Sequence, residues 1–380
     1  MRLLRIVSGS VLAVVGLLFV ATGESNASSS NQLVCATQIV SAWPVRQIAN
    51  ETIVVPVYAT SIGSMAPAAR AGYGGLLLFG TVAPASMPAI IGALQRERPL
   101  PNSMLVMTDE EGGGVMRLNN AVSAFPWAQV MGRHYSPVQI LGVARRVGWQ
   151  LQHLGVNMDL APVIDVDGRA EFPGAANPDG LRAFSGIPAI VAADGTAFMQ
   201  GLIKANVIPV VKHFPGLGYA TRNTDYGPAA TLSWATLQAT GLVPFKQAIA
   251  NGAPAVMLSN ARVPGLSALP AGLSPAVVQV LRNTLNFKGL IVTDSLSAGA
   301  ISALHLAEPA ASVMALQAGA DLILFGSPTS PAKSLALAGG ISDAIVAAVN
   351  NGTLLKSILV TAAAQVLVTN NTVSCPSPTN

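Results

Sequence analysis

Short, largely apolar runs recur along this chain, and longer stretches whose apolar residues return every three or four positions separate them. The runs lie at 53–57, 75–79, 104–108, 157–160, 208–211, 255–258, 290–293 and 321–325. A strand with one wet face alternates apolar and polar residues, whereas a parallel strand covered on both faces reads as a continuous apolar segment. The intervening stretches predict helices, among them 138–153, 191–205, 234–251, 275–286 and 309–318. Asn206 and the pair Asn251-Gly252 stand where the second and third of these should stop, as left-handed C-terminal caps require. Strands that alternate with helices predict an α/β fold, specifically a (β/α)8 TIM-type barrel in a single domain. A doubly wound dinucleotide fold is disfavoured, because no G-x-G-x-x-G opens a helix after the first strand.

The two ends depart from this rhythm. Arg2 and Arg5 precede an apolar run over 6–21, and Ser25-Asn26-Ala27 follows, the order of a cleaved leader. Residues 1–27 therefore read as a signal peptide and the protein as exported or associated with the cell envelope; an uncleaved leader would make it a membrane anchor. Cys35 follows Leu33-Val34, not the small residues of a lipid-attachment box. The barrel domain is expected over 28–371, with a Ser/Pro-rich tail over 372–380. The chain has two cysteines, Cys35 and Cys375, near opposite ends. In an exported protein such a pair most simply forms one disulfide, with two free thiols as the alternative.

Composition narrows the chemistry. Of 380 residues 51% are hydrophobic and 10% charged, and the net charge of +4 is spread without Lys/Arg blocks, so nucleic-acid binding is unsupported. The four His are scattered and neither Cys has a ligand-spaced neighbour, so neither a metal site nor a cofactor is expected.

Polar residues follow the strand ends, where a barrel places its active site. Asp109 follows LVMT, Lys212 and His213 follow PVV, Asn260 follows MLS, and Asp294 follows LIVT. A Gly/Pro-rich loop after His213 ends at Asp225. The reaction that most needs a carboxylate pair of this kind is glycoside hydrolysis.

Five segments carry a resemblance. MTDEEGGGVMRL (107–118), APVIDV (161–166), RAFSG (182–186), KHFPG (212–216) and LIVTDSLSAGAI (290–301) occur in the order of glycoside hydrolase family three. Over residues 45–330 the chain resembles that family's single-barrel β-N-acetylglucosaminidase branch. The resemblance implies a carbohydrate substrate and a retaining mechanism, with Asp294 as nucleophile. It places Asp109, Arg182, Lys212 and His213 at sugar-binding positions, with Arg117 also on a family arginine; Glu111 and Asp165 read as loop braces. For Asp109, Lys212 and His213 the alternative is a buried ion network at the barrel mouth.

One loop departs from the family. Where this branch carries Asp-Ser-His, with the histidine as general acid/base, the chain has Asn223, Thr224 and Asp225. Asp225 occupies the histidine's place and is the candidate acid/base, a role that burial or the nearby Asp294 would favour by raising its pKa; the alternative is a loop-capping residue. Leu217 replaces a family histidine and Gly114 an arginine. The expected activity is hydrolysis of β-N-acetylglucosaminides such as cell-wall fragments. The alternatives are a β-glucosidase or β-xylosidase, a non-catalytic sugar-binding barrel, and a Schiff-base lyase acting through Lys212.

Overall fold

The computed structural model describes residues 21–370, apart from 327 and 329, with side-chain surroundings described from residue 31 onward. The expected leader up to residue 20 and the tail with Cys375 lie outside the described residues, and so does the expected bridge to Cys35. The helix Ala21–Ser41 runs through the expected cleavage position.

Seven parallel strands form one curled sheet in sequence order: β1 (Val54–Tyr58), β2 (Gly75–Phe79), β3 (Leu105–Thr108), β4 (Met158–Asp159), β5 (Ile208–Phe214), β6 (Ala255–Leu258) and β7 (Leu290–Thr293). The apolar runs become strands because each offers side chains to two apolar layers at once. Val54, Leu77, Leu105, Met107, Met158, Val210, Met257 and Val292 point to one inner cluster. Their neighbours Val55, Leu76, Val106, Val211, Val256 and Ile291 join the outer cluster beneath the helices.

The eighth expected strand, 321–325, differs. It makes only two isolated parallel bridges, Val292↔Leu322 on one sheet edge and Ile53↔Ile323 on the other. The main-chain N–H of Val54 donates to the Ile323 carbonyl at 3.1 Å, and that of Thr293 to the Leu322 carbonyl at 3.0 Å. Leu322 and Leu324 fill the inner cluster beside the other strands. The segment is tied to both edges but is too short to build a ladder with either.

Helix boundaries follow local chemistry. The helix Pro137–His153 starts with a capping box, Ser136 and Gln139, behind a proline in the first turn. Asn206 and Gly252 both take positive φ, as the caps require. The expected helix 234–251 instead splits into Trp234–Ala239 and Leu242–Ala250. At the break Gly241 passes the 215–216 turn so closely that a Cβ would lie 3.0 Å from the Pro215 carbonyl oxygen. The expected helix 275–286 is α-helical only over Pro275–Gln279 and ends in a π turn, Val280–Thr284. Among the described residues, Pro331–Asn350 is a helix long and apolar enough to cross a membrane. Its Ala338, Ile341 and Ile345 are buried, and it packs on the helix Glu308–Ala318 and on β1.

Candidate active site

The carboxyl ends of the strands surround a cavity of about 440 Å³, and all seven expected site residues line it: Asp109, Arg117, Arg182, Lys212, His213, Asp225 and Asp294. Leu77, Met257 and Leu324 form its apolar floor. Asp109 directly follows β3 and Asp294 directly follows β7, while Lys212 and His213 lie within β5, where the pairing with β6 shifts register between Val211 and Phe214. Such an irregularity re-aims side chains at a strand end. The Lys212–His213 peptide bond is cis. Asn260, the remaining strand-end residue, lies off the cavity and holds the Ser295 carbonyl at 2.7 Å, bracing the turn after Asp294.

An ion network sets the cations in place. Lys212 Nζ donates to Asp109 Oδ1 at 2.8 Å and lies 2.6 Å from Glu111 Oε1. Arg182 grips the same carboxylate with two prongs, Nε to Oε2 at 2.7 Å and Nη2 to Oε1 at 2.8 Å. Burial alone would raise the pKa of Glu111; Arg182 and Lys212 outweigh it and hold the group well below the usual carboxylate range. Lys212 is pushed down by burial, but Asp109 and Glu111 more than offset this, so it is held protonated. Asp109, half-buried, keeps Oδ2 3.8 Å from Arg117 Nε, and the Arg117 guanidinium lies 5.5 Å from the centre of the Phe79 ring. The expected sugar-binding set and the alternative ion network are thus the same atoms: an interlocked group with one side open to the cavity.

His213 is fixed from behind. Asp165 is fully buried; it accepts the main-chain N–H groups of His213 at 3.0 Å and Leu217 at 2.6 Å, and its Oδ2 lies 2.7 Å from His213 Nδ1. Burial lowers the His213 pKa to about 4, with Arg182 acting in the same direction, so the ring is neutral near pH 7. Burial also raises Asp165 to about 7, and raises Asp179, with help from the Asp165 charge, to about 8. Asp165, Asp179 and His213 bring potential ligand atoms within 4.8 Å of one another, the one grouping among the described residues suited to a cation. Asp165 already accepts its hydrogen bonds there, and the Arg182 guanidinium lies 3.9 Å from Asp179, so the local charge is partly balanced by the protein itself.

The two candidate catalytic carboxylates differ in setting. Asp294 is half-buried at the end of β7, and its Oδ1 accepts the Ser295 main-chain N–H at 2.7 Å. Burial raises its pKa; the Asp225 charge adds to this and His213 opposes it. Asp225 is exposed, so the burial expected around a general acid is absent. The reason is local. Asn223, not Asp225, does the capping: its Oδ1 accepts the Asp225 main-chain N–H at 2.9 Å, lifting residue 225 to the crest of a tight turn. That turn is well anchored. The main-chain N–H groups of Gly299 and Ala300 donate to the carbonyls of Asp225 and Thr224 at 3.0 and 2.9 Å, and that of Asn223 donates to the Ala175 carbonyl at 2.9 Å. The acid/base candidate is therefore fastened to the segment that leaves the nucleophile candidate. Sequence reasoning missed Asp179, a buried carboxylate beside Asp165 and His213, because nothing in the run Asn177-Pro178-Asp179-Gly180 marks a site.

Comparison with known proteins agrees with this geometry. The sequence profile described as "Glycosyl hydrolase family 3 N terminal domain" matches residues 68–369. A Mycobacterium tuberculosis relative named "Beta-hexosaminidase LpqI" is 35% identical over 238 residues, 60% of this chain and 59% of the relative. An "Uncharacterized secreted glycosyl hydrolase" of Arthroderma benhamiae is 34% identical over 74% of this chain and 80% of its own length. The matched region thus spans between three fifths and four fifths of these relatives. Among solved structures, a glycosyl hydrolase of GH3 family from Mycobacterium smegmatis superposes with a TM-score of 0.77 at 30% identity, covering 87% of this chain and 98% of that one. A β-N-acetylhexosaminidase from Beutenbergia cavernae gives 0.77 at 29%, covering 87% and 99%. With a profile match over most of its length and a cavity built from that family's motifs, the chain belongs to glycosyl hydrolase family 3.

Proposed function

We propose that the chain is an exported, retaining β-N-acetylglucosaminidase built on a closed (β/α)8 barrel, with the bridges of residues 322 and 323 as its eighth strand. The observation that carries the reading is that Asp294, at the end of β7, shares a cavity with Asp225 and with Asp109, Lys212 and Arg182, the last two joined through Glu111. Seven residues from five separate segments of the chain line that cavity, which supports a carbohydrate site with a pair of carboxylates.

Asp294 attacks the anomeric carbon, forming a glycosyl ester, as the bond to the leaving oxygen breaks and that oxygen takes the proton of the Asp225 carboxyl. Asp225, now a carboxylate, accepts a proton from water as the water oxygen attacks the same carbon and frees Asp294. Retention requires the two carboxyl groups to work at about 5–5.5 Å. Arg182, Lys212 and neutral His213 donate to sugar hydroxyls, while Asp109 accepts from them; held rigidly, they strengthen as charge grows in the transition state. The names of the relatives support an N-acetylhexosaminide, the leader pattern supports export, and cell-wall fragments fit both. The exposure of Asp225 favours a second reading, a sugar-binding barrel that has lost turnover.

The test is an aryl β-glycoside panel followed by trapping with a 2-deoxy-2-fluoro sugar. The proposal expects release from the N-acetylglucosaminide, a label on the peptide holding Asp294, and no turnover by Asp294→Ala with its circular dichroism intact. A label on another residue, or ligand-dependent stabilisation without any release, rejects it.

A further inference from the structure

Three exposed aromatic side chains stand on the loops that follow β4 and β5, and two have a structural task. Tyr219, 41% exposed, accepts the Gly168 main-chain N–H through Oη at 2.9 Å and lies under the Arg169 guanidinium at 5.2 Å. Phe172 packs edge-on against Trp127, ring centres 6.1 Å apart. Tyr226 has no such task. It is 68% exposed, and neither its ring nor its hydroxyl meets an aromatic, cationic or hydrogen-bonding partner among the described residues. Of the three it alone lines the cavity.

Its place in the chain gives this exposure a direction. The general acid must reach the oxygen being cleaved, so Asp225 marks the boundary between the sugar that is attacked and the group that leaves. Asp109, Lys212, His213 and Asp294 lie at strand ends, whereas Tyr226 follows Asp225 on the anchored turn and enters the same cavity from that loop. The turn's main-chain bonds to Gly299 and Ala300 hold the ring's attachment point still. A solvated aromatic face on an anchored backbone at that boundary suits the apolar face of a pyranose ring, and aromatic side chains supply much of the contact area in sites that bind by shape.

We propose that Tyr226 is the platform of a leaving-group subsite that accepts a second pyranose, so that the preferred substrate is a β-linked disaccharide or longer glycan. This rests on the hydrolase reading above and adds the chemistry of the leaving group to it. Contact with that remote ring assists cleavage when it holds the scissile oxygen against Asp225.

The test compares kcat/KM for the β-1,4-linked disaccharide of N-acetylglucosamine with that for N-acetylglucosaminyl fluoride, whose leaving group has no ring. Tyr226→Ala should lower the disaccharide-to-fluoride ratio about tenfold, while Tyr226→Phe and Tyr226→Trp, which keep a flat face, should stay within about twofold of wild type. An unchanged ratio in Tyr226→Ala, with both substrates cleaved, overturns the platform and leaves the hydrolase reading standing. If wild type cleaves neither substrate, the hydrolase reading fails, and the platform is judged by calorimetry on the Asp294→Ala chain. There Tyr226→Ala should weaken disaccharide binding about tenfold relative to the monosaccharide. Equal loss for both sugars, or no disaccharide binding at all, overturns it.

Discussion

Replacing Glu111 with Gln tests whether the network behind the cavity holds as described. The substitution keeps the side-chain volume but removes the charge shared by Arg182 and Lys212, and it turns an amide N–H₂ toward donors. Lys212 retains Asp109 at 2.8 Å, whereas Arg182 retains the neutral Pro178 carbonyl at 2.9 Å and, as its nearest carboxylate, only Asp179 at 3.9 Å, so the loss falls mainly on the guanidinium. Removing one partner of a buried ion pair costs about 3–5 kcal/mol. With one of the two cations still paired, the expectation lies at the lower end, about 3 kcal/mol near pH 7. Its pH dependence is diagnostic. The Glu111 pKa is depressed in the folded chain, so its stabilisation is complete above the ordinary carboxylate value of 4.5 and is lost as pH falls toward the folded value. Between pH 6 and pH 3 the wild-type advantage should therefore shrink by about 2 kcal/mol, at 1.36 kcal/mol for each unit below 4.5. Urea titrations of both proteins at several pH values measure this, provided that their m-values agree. A deficit below about 1 kcal/mol at neutral pH, or one that stays constant from pH 6 to pH 3, would show that Glu111 does not hold the two cations in this way.

Other outcomes follow from the same geometry. Asp225→Ala should lower kcat/KM on a poorly activated glycoside about 10²–10⁴-fold, with azide restoring the rate on an activated one as a glycosyl azide; no rescue on any activated substrate counts against Asp225 as acid/base. Because the Asp294 pKa is raised by burial and by the Asp225 charge, and the nucleophile acts ionised, kcat/KM should climb with pH through an acid limb above the ordinary aspartate range. Asp225→Asn removes one of those causes and should move that limb toward lower pH in the residual activity; an unmoved limb denies the coupling. A Cβ at Gly299 would lie 2.7 Å from the Asp225 carbonyl oxygen and 2.8 Å from the Tyr226 carbonyl carbon. Gly299→Ala should thus displace the turn and lower kcat/KM roughly 10²-fold, the scale of a small misplacement at a reacting centre. Unchanged kinetics would show that the turn is not tied there.

The strands were legible because a continuous apolar run has few places to go except between two apolar layers, and 75–79, 255–258 and 290–293 match the observed bounds. The 321–325 run is equally apolar after Asp321 but pairs only through bridges, since pairing length depends on both edge strands and cannot be read from one segment. The helix break at Gly241 was hidden for a similar reason: it answers a close approach to Pro215 across the fold. Site residues at strand ends announced themselves by position. Arg182, in a turn rich in Gly and Pro, reads as a surface arginine until the Glu111 carboxylate is seen to meet it. Asp225 lies exposed while Asn223 takes the capping role, a choice between two neighbouring side chains that sequence alone leaves open.

The turn over residues 223–226 is secured by main-chain groups and by Asn223, and the Asp225 side chain takes no part in securing it. Position 225 is therefore a socket: the scaffold sets where a proton donor sits, and the side chain decides only which donor it is. Fitting the imidazole usual in this branch, by Asp225→His, should change the pH at which the enzyme works while leaving the turn as it stands.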